Sequence, residues 1–163
     1  MSTLSVDTIT EKTTGNGVKI AGHVLQVLQA TSTTQTSTNS GDRVFSDVTG
    51  MSQSITPTST DSKILVRINI SFYINANNES GLVRIVRGST SIYDHIANLG
   101  YTGSSAQAGG VASFEFLDSP STTSATTYKL QMARNYATGT FSINETFDSN
   151  ATGSSITLME IGG

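Results

Sequence analysis

Side chains suited to catalysis are scarce in this chain. It carries two histidines, His23 and His95, and no cysteine. Serines are abundant, so the fold could assemble a Ser-His-Asp triad, but no Gly-x-Ser-x-Gly nucleophile elbow occurs. No His-x-His or Glu-x-x-His spacing marks a zinc site, and thiolate chemistry is excluded. We therefore predict no catalytic residues, no metal site and no cofactor.

The carboxylates also give no catalytic pattern. The twelve Asp and Glu residues are dispersed along the sequence. Glu115, Glu145 and Glu160 lie on or beside predicted strands, yet nothing pairs them as the facing carboxylates that a glycosidase needs. Surface exposure is the favoured interpretation for all three, and a glycan hydrolase remains a minor alternative.

One polar turn could offer oxygen ligands to a cation. Asn77, Asn78 and Glu79 follow the longest predicted strand and could bind calcium. The segment lacks the spaced acidic residues of a dedicated calcium loop. A solvated turn is the favoured interpretation.

Two loops carry residue types suited to recognition. Tyr101 lies in the loop 100–110, and Arg134, Asn135 and Tyr136 lie in the loop 133–140. A sugar presents apolar faces and hydroxyl edges, which match aromatic rings and amide or guanidinium donors. Tyr and Arg are also enriched at subunit interfaces. These four residues are therefore candidates for receptor contact or for an inter-subunit contact, with the interface slightly favoured.

The composition excludes several classes of partner. Charged residues make up 13% of the 163 residues, about half the usual share, and the net charge is −3. No basic run occurs, so nucleic acid is not an expected partner. Residues 1–25 contain no apolar core of a signal peptide, and no run approaches the roughly 20 apolar residues that span a bilayer. We expect a soluble protein that does not insert into membranes.

The elements that must position these residues are strands. Between residues 63 and 74 every second residue is apolar, which places one apolar face on a strand. Turn signals recur every 8–12 residues, a pattern typical of a β-sandwich or barrel. No helix of three turns is predicted. The predicted strands are residues 24–30, 43–48, 51–56, 63–74, 82–87, 91–96, 111–117, 126–136, 140–144 and 155–161.

The N-terminal segment has a different character. Small polar and β-branched residues alternate there, and its few apolar side chains cannot form an independent core. We predict an attachment arm, residues 1–22, and a β-sandwich head domain, residues 23–163. The apolar side chains that would make this attachment, to other copies of the chain or to something larger, are Leu4, Val6, Ile9, Val18 and Ile20.

Two parts of the sequence resemble one family. The segments 4–9 and 14–20 resemble the N-termini of fibre-type virion proteins of tailed phages, in particular marine and cyanobacterial phages. The succession of segments 24–27, 54–57, 62–66, 84–88 and 156–161 resembles the small C-terminal head domains of phage tail-fibre proteins. This resemblance implies an all-β, antiparallel, jelly-roll-like β-sandwich that assembles as a homotrimer. The chain departs from a long tail fibre because it is short and has no extended shaft.

The resemblance leads to a functional expectation. It implies a non-enzymatic phage virion structural protein, made in the infected host cytoplasm: a trimeric tail fibre or spike whose head contacts a host surface glycan or protein. The arm would bind other virion proteins. Leu65 and Tyr73 on the mixed face of the long strand favour a closed oligomer that covers them. The alternative is a fibre that decorates or cements the capsid and binds no receptor.

Overall fold

A computed structural model describes residues 22–105, 107–136, 139–147 and 150–163. Residues 1–21, with the predicted attachment residues Leu4, Val6, Ile9, Val18 and Ile20, lie outside the described residues, so the arm stays a prediction. The described residues form twelve strands and no helix, and hence no helix long and apolar enough to cross a membrane. The strands are β1 (Val24–Ser32), β2 (Thr36–Thr38), β3 (Ser46–Ile55), β4 (Lys63–Asn75), β5 (Gly81–Arg87), β6 (Thr90–Leu99), β7 (Gln107–Asp118), β8 (Thr126–Arg134), β9 (Thr140–Ile143), β10 (Thr146–Phe147), β11 (Asn150–Ala151) and β12 (Ser154–Ile161).

Two antiparallel sheets make a sandwich. The first has six strands: β4 pairs with β7 along one edge and with β12 and then β9 along the other, while β1 and β2 extend the sheet beyond β12 and β9. The second sheet has the order β3-β8-β5-β6, and β10 and β11 form a small separate ribbon. This architecture confirms the predicted all-β, antiparallel, jelly-roll-like β-sandwich.

The core is built on β4, in which every second residue is apolar and faces the other sheet. Its even-numbered residues Ile64, Val66, Ile68, Ile70 and Ile74 are all buried. Phe72, the sixth member of this face, is partly buried and packs against the same core. From the other sheet Tyr128, Leu130 and Met132 of β8 are fully buried. Apolar burial between the two sheets is therefore the main favourable term in folding.

Several predicted boundaries were wrong, and the structure gives the reasons. The break predicted at Thr49-Gly50 is absent, because β3 runs through it with a register shift between Asp47 and Ser52. Gly50 has a φ of 76°, and a Cβ there would lie 2.6 Å from the Ser32 hydroxyl. Glycine thus marks a bulge at this point and not a turn.

Two predicted loops also contain strand residues. The polar segment 31–42 includes β2, which pairs with β9. The Gly-rich segment 99–110 is not a loop throughout, because β6 ends at Leu99 and residues 107–110 belong to β7, whose Gln107 pairs with Asn75. Both segments have composition typical of loops, and only their cross-strand partners make them strands.

A buried carboxylate, Asp118, ties the two layers together. Asp118 of β7 forms an ion pair of 2.8 Å with Arg87 of β5 and accepts a hydrogen bond of 2.7 Å from the Tyr128 hydroxyl. Burial and the adjacent Asp118 carboxylate raise the pKa of Tyr128 far above its usual range, so the phenol stays a donor. The first sheet is thereby joined to the second by hydrogen bonds as well as by apolar packing.

Glu160 of β12 is the second buried carboxylate, and its predicted exposure was wrong. It is fully buried and accepts hydrogen bonds from Gln26 Nε2 at 2.6 Å and from Thr58 N and Oγ1 at 2.7 and 2.8 Å. Burial alone would raise the pKa of Glu160, but the hydrogen bonds outweigh it and lower the pKa. Of the other two carboxylates, Glu115 is exposed as predicted and Glu145 is partly buried.

Glu160→Gln should lower the free energy of unfolding by about 1–3 kcal/mol at pH 7, because a charge-assisted acceptor is lost. Since folding lowers the pKa of Glu160, its stabilisation is present above the ordinary carboxyl pKa of 4.5 and disappears as the pH falls below that value. Urea unfolding at pH 7 and at pH 3 should therefore show a difference between variant and wild type that shrinks in acid. The exposed Glu115→Gln serves as the matched control, and an equal difference at both pH values would contradict the assignment.

Candidate functional site

A pair of tyrosines stands out at one end of the sandwich. Tyr101 and Tyr136 come from different loops, and their side chains are about half exposed, at 53% and 49%. Their ring centroids lie 6.0 Å apart with an edge-to-face angle of 64°. The Tyr101 hydroxyl donates a 3.3 Å hydrogen bond to Oδ1 of Asn78. We call these two rings the tyrosine pair.

A buried carboxylate lies beneath the tyrosine pair. Oε1 of Glu79 accepts hydrogen bonds from the backbone N–H groups of Ser80 (2.9 Å), Asn135 (3.0 Å) and Tyr136 (2.9 Å). Glu79 is fully buried. The predicted solvated turn is therefore wrong at this residue: the carboxylate replaces water as the partner of three backbone donors, which is what makes its burial tolerable.

The backbone of Glu79 holds the loop of Tyr101 as well. Its carbonyl accepts the N–H of Thr102 at 3.0 Å, and its own N–H donates to Oγ1 of Thr102 at 3.0 Å. Beside it, the N–H of Asn78 donates to the Gly103 carbonyl at 2.7 Å. Asn78 has a φ of 53°, a left-handed conformation that asparagine tolerates. One residue thus fixes both loops that carry the tyrosine pair.

Arg134 and Asn135 lie below this surface. Arg134 is buried, and its guanidinium donates to the backbone carbonyls of Asn39, Ser40 and Gly139. Asn135 is also buried, donating to Asn98 Oδ1 at 2.8 Å and accepting from Arg43 Nε at 3.1 Å.

The structure therefore separates the four predicted residues into two layers. The two tyrosines are exposed and adjacent, whereas Arg134 and Asn135 use their polar groups to join loops within the chain. Their predicted role in receptor or subunit contact stays a prediction, and the surface chemistry available to a partner comes from Tyr101, Tyr136 and Asn78.

The tyrosine pair lies far from the point where residue 22 enters the sandwich. Gly22 N donates to the Gly162 carbonyl at 2.8 Å, and Ile161 pairs with Lys63 at the start of β4. The turn that carries Asn78 follows the other end of β4. A strand of 13 residues spans roughly 40 Å. The two ends of the head domain are thus separated by the length of its longest strand.

The histidines and the aspartate considered for catalysis or metal binding do not form a common site among the described residues. His23 is exposed beside Gly162, and the side chain of His95 lies outside the described part of the chain. Asp94 is exposed and accepts from the Ser91 hydroxyl at 2.6 Å. In the described ranges, no group of three or more His, Asp or Glu side chains could hold a metal ion.

Sequence reasoning missed the burial of Glu79. In the segment Asn-Asn-Glu-Ser-Gly its neighbours are ordinary turn residues, and its partners lie 56 and 57 positions away at Asn135 and Tyr136. Only the arrangement of three loops at one end of the sandwich shows that this glutamate is buried.

Comparison with known proteins shows that the fold of this chain is similar to that of a viral protein of known structure. No protein-family model matches the chain, and no curated protein matches its sequence. The crystal structure of the infectious bursal disease virus VP2 subviral particle is similar over all of this chain and 37% of the VP2 chain, with a TM-score of 0.51 and 13% identity. A structure of the Gx strain of that virus is similar over 89% of this chain and 38% of its own, with a TM-score of 0.45 and 12% identity. This chain thus spans little more than a third of either chain, and at such identity the VP2 likeness shows a shared β-sandwich fold.

Proposed function

We propose that this protein is a non-enzymatic virion structural protein, a trimeric tail fibre or spike whose head contacts the host surface through the tyrosine pair. The observation that carries the proposal is that the two functional ends of the head domain lie on opposite sides. Residue 22, where the predicted arm joins, and the tyrosine pair lie at opposite ends of β4. An arm bound to the particle would leave the tyrosine pair pointing outward.

The chemistry of the tyrosine pair suits a glycan or a protein surface. Two half-exposed rings supply rigid apolar area at low entropic cost, and their hydroxyls and the Asn78 amide supply hydrogen-bonding groups. Because Glu79 fixes both loops, little order has to be gained on binding. Binding residues on loops held by a rigid scaffold are typical of recognition sites.

The outer face of the first sheet supports assembly of several copies. Val27, Met159, Leu65 and Leu117 pair across four neighbouring strands and form one apolar row. Val27 and Leu117 are 54% and 48% exposed, while Leu65 and Met159 are partly exposed. Monomers rarely leave contiguous apolar surface uncovered. In the proposed trimer a second copy of the chain covers this apolar row.

Capsid decoration without receptor binding is the second candidate. The likeness of fold to VP2 of a subviral particle supports this candidate. Both candidates share the virion location, the trimer and the arm, and they differ in whether the tyrosine pair binds anything.

The tyrosine pair can be tested by adsorption. Tyr101→Ala or Tyr136→Ala should reduce the affinity of the purified head for host cells about thirtyfold, since loss of a binding hot spot costs about 2 kcal/mol. Val24→Ala, at a site 52% exposed at the start of β1 and at the opposite end of the head domain, is the control and should bind normally. Unchanged adsorption by both tyrosine variants would overturn the receptor-binding proposal in favour of capsid decoration. Dissociation of the trimer by Tyr136→Ala would assign that tyrosine to the subunit interface.

Assembly can be tested by light scattering. The purified protein should have about three times the chain mass of 17.1 kDa. Val27→Lys combined with Leu117→Lys should lower the mass towards one chain, because a buried unpaired charge disrupts an apolar contact. Thr31→Lys, on the same face of β1 and also exposed, should leave the mass unchanged. A wild-type monomer at micromolar concentration would contradict the trimer.

A further inference from the structure

A second row of side chains crosses the outer face of the first sheet. Ser37 of β2 pairs with Ser142 of β9, Ser142 pairs with Tyr73 of β4, and Tyr73 pairs with Gly109 of β7. Since directly paired residues share a face of the sheet, these four lie in one line. Tyr73 is eight positions along β4 from Leu65, roughly 27 Å, so the apolar row lies well away from it.

Tyr73 separates two hollows of contrasting chemistry. One, of about 120 Å³, is lined by polar groups and the tyrosine: Gln35, Ser37, Tyr73, Asn75, Thr140, Ser142 and Glu145. The other, of about 390 Å³, is largely apolar and is lined by strand residues on the β7 side of the ring: Ser71, Phe72, Tyr73, Gln107, Ala108, Gly109, Gly110 and Val111. The ring of Tyr73 is thus the shared wall of a polar and an apolar hollow.

The polar hollow is already organised by hydrogen bonds. Gln35 Nε2 donates to Oε2 of Glu145 at 2.9 Å and to the Ser37 hydroxyl at 3.1 Å. The Ser37 and Ser142 hydroxyls lie 2.9 Å apart and are hydrogen-bonded. These contacts hold a carboxylate, an amide and two hydroxyls on one wall, so a ligand would meet them in fixed positions.

The absence of a side chain at Gly109 lets the Tyr73 ring approach the backbone of β7 beside the apolar hollow. A Cβ at this position would lie 3.2 Å from Cδ2 of Tyr73 and 3.2 Å from the Phe72 carbonyl oxygen. The Tyr73 ring therefore leans over the glycine backbone at the edge of the apolar hollow. This close approach explains a glycine in the interior of a strand, where it otherwise weakens pairing.

We infer that the polar hollow, with Tyr73 as its wall, binds one neutral sugar residue of a glycan. A pyranose ring has an apolar face that stacks on Tyr73 and hydroxyls that can donate to the Glu145 carboxylate and bond the Asn75 amide. The described side chains that line the two hollows include no Lys or Arg, and Glu145 would repel a second carboxylate, so the inference excludes uronic and sialic acids as ligands. Among the described residues of the lining, Glu145 is the single carboxylate, whereas glycoside hydrolysis uses two. The site therefore binds without cleaving, independently of the tyrosine pair.

The test is saturation-transfer NMR on the full chain with methyl glycosides. At least one of the neutral methyl glucoside, galactoside, mannoside or N-acetylglucosaminide should give a signal, and methyl glucuronide should give none. Tyr73→Ala should abolish the signal, and Glu145→Gln should weaken it at least tenfold. Tyr73→Phe keeps the ring and should retain binding, which separates the loss of a platform from a loss of folding.

Tyr101→Ala distinguishes this site from the tyrosine pair. If neutral glycosides bind and the signal survives Tyr101→Ala but not Tyr73→Ala, the inference stands even if adsorption does not depend on the tyrosine pair. Absence of a signal from all four neutral glycosides, or a signal that survives both Tyr73→Ala and Glu145→Gln, would overturn it.

Discussion

The alternation of buried apolar residues with more exposed residues along β4 is the constraint on which the rest of the structure depends. Its inward residues form the centre of the core, and the strand pairs with β7 along one edge and with β12 and β9 along the other. A slip of one residue would turn Ile64, Val66 and Ile68 towards solvent. The buried face therefore fixes the register of three neighbouring strands at once. Both outer rows, one through Leu65 and one through Tyr73, are consequences of that register.

Buried carboxylates add specific hydrogen bonds that apolar packing alone does not provide. Glu79, Asp118 and Glu160 are all buried, and each accepts a hydrogen bond from a residue more than 30 positions away in the sequence. An unpaired buried charge would be costly, so each carboxylate requires its partners to be in place. In a chain with so few charges, these three interactions determine how loops and layers are joined, and Glu79 does so at the surface proposed for recognition.

The sequence predicted local pattern well and distant pairing poorly. The period of two in β4 identified the core strand. The succession of short strands with regularly spaced turn signals predicted the sandwich. The bulge at Gly50, the strand β2 and the glycines at the start of β7 were missed because each depends on a partner strand that a single sequence does not show. Tyr101 and Tyr136 were selected by residue type and proved adjacent, whereas Arg134 and Asn135, selected in the same way, proved to be buried. The burial of Glu79 and the hollow beside Tyr73 arise only from the folded arrangement.

The most direct test of this account is hydrogen–deuterium exchange on Glu79→Ala beside the wild-type protein. Removing the carboxylate leaves the backbone N–H groups of Ser80 and Tyr136 without their acceptor, at a cost of about 1–3 kcal/mol for each buried donor, while the N–H of Asn135 keeps its bond of 3.1 Å to the Ser80 carbonyl. Exchange at Ser80 and Tyr136 should be faster by tenfold or more, with unchanged protection in the ladder between β4 and β12. Unchanged exchange at those two residues would contradict the claim that Glu79 holds the proposed recognition surface together.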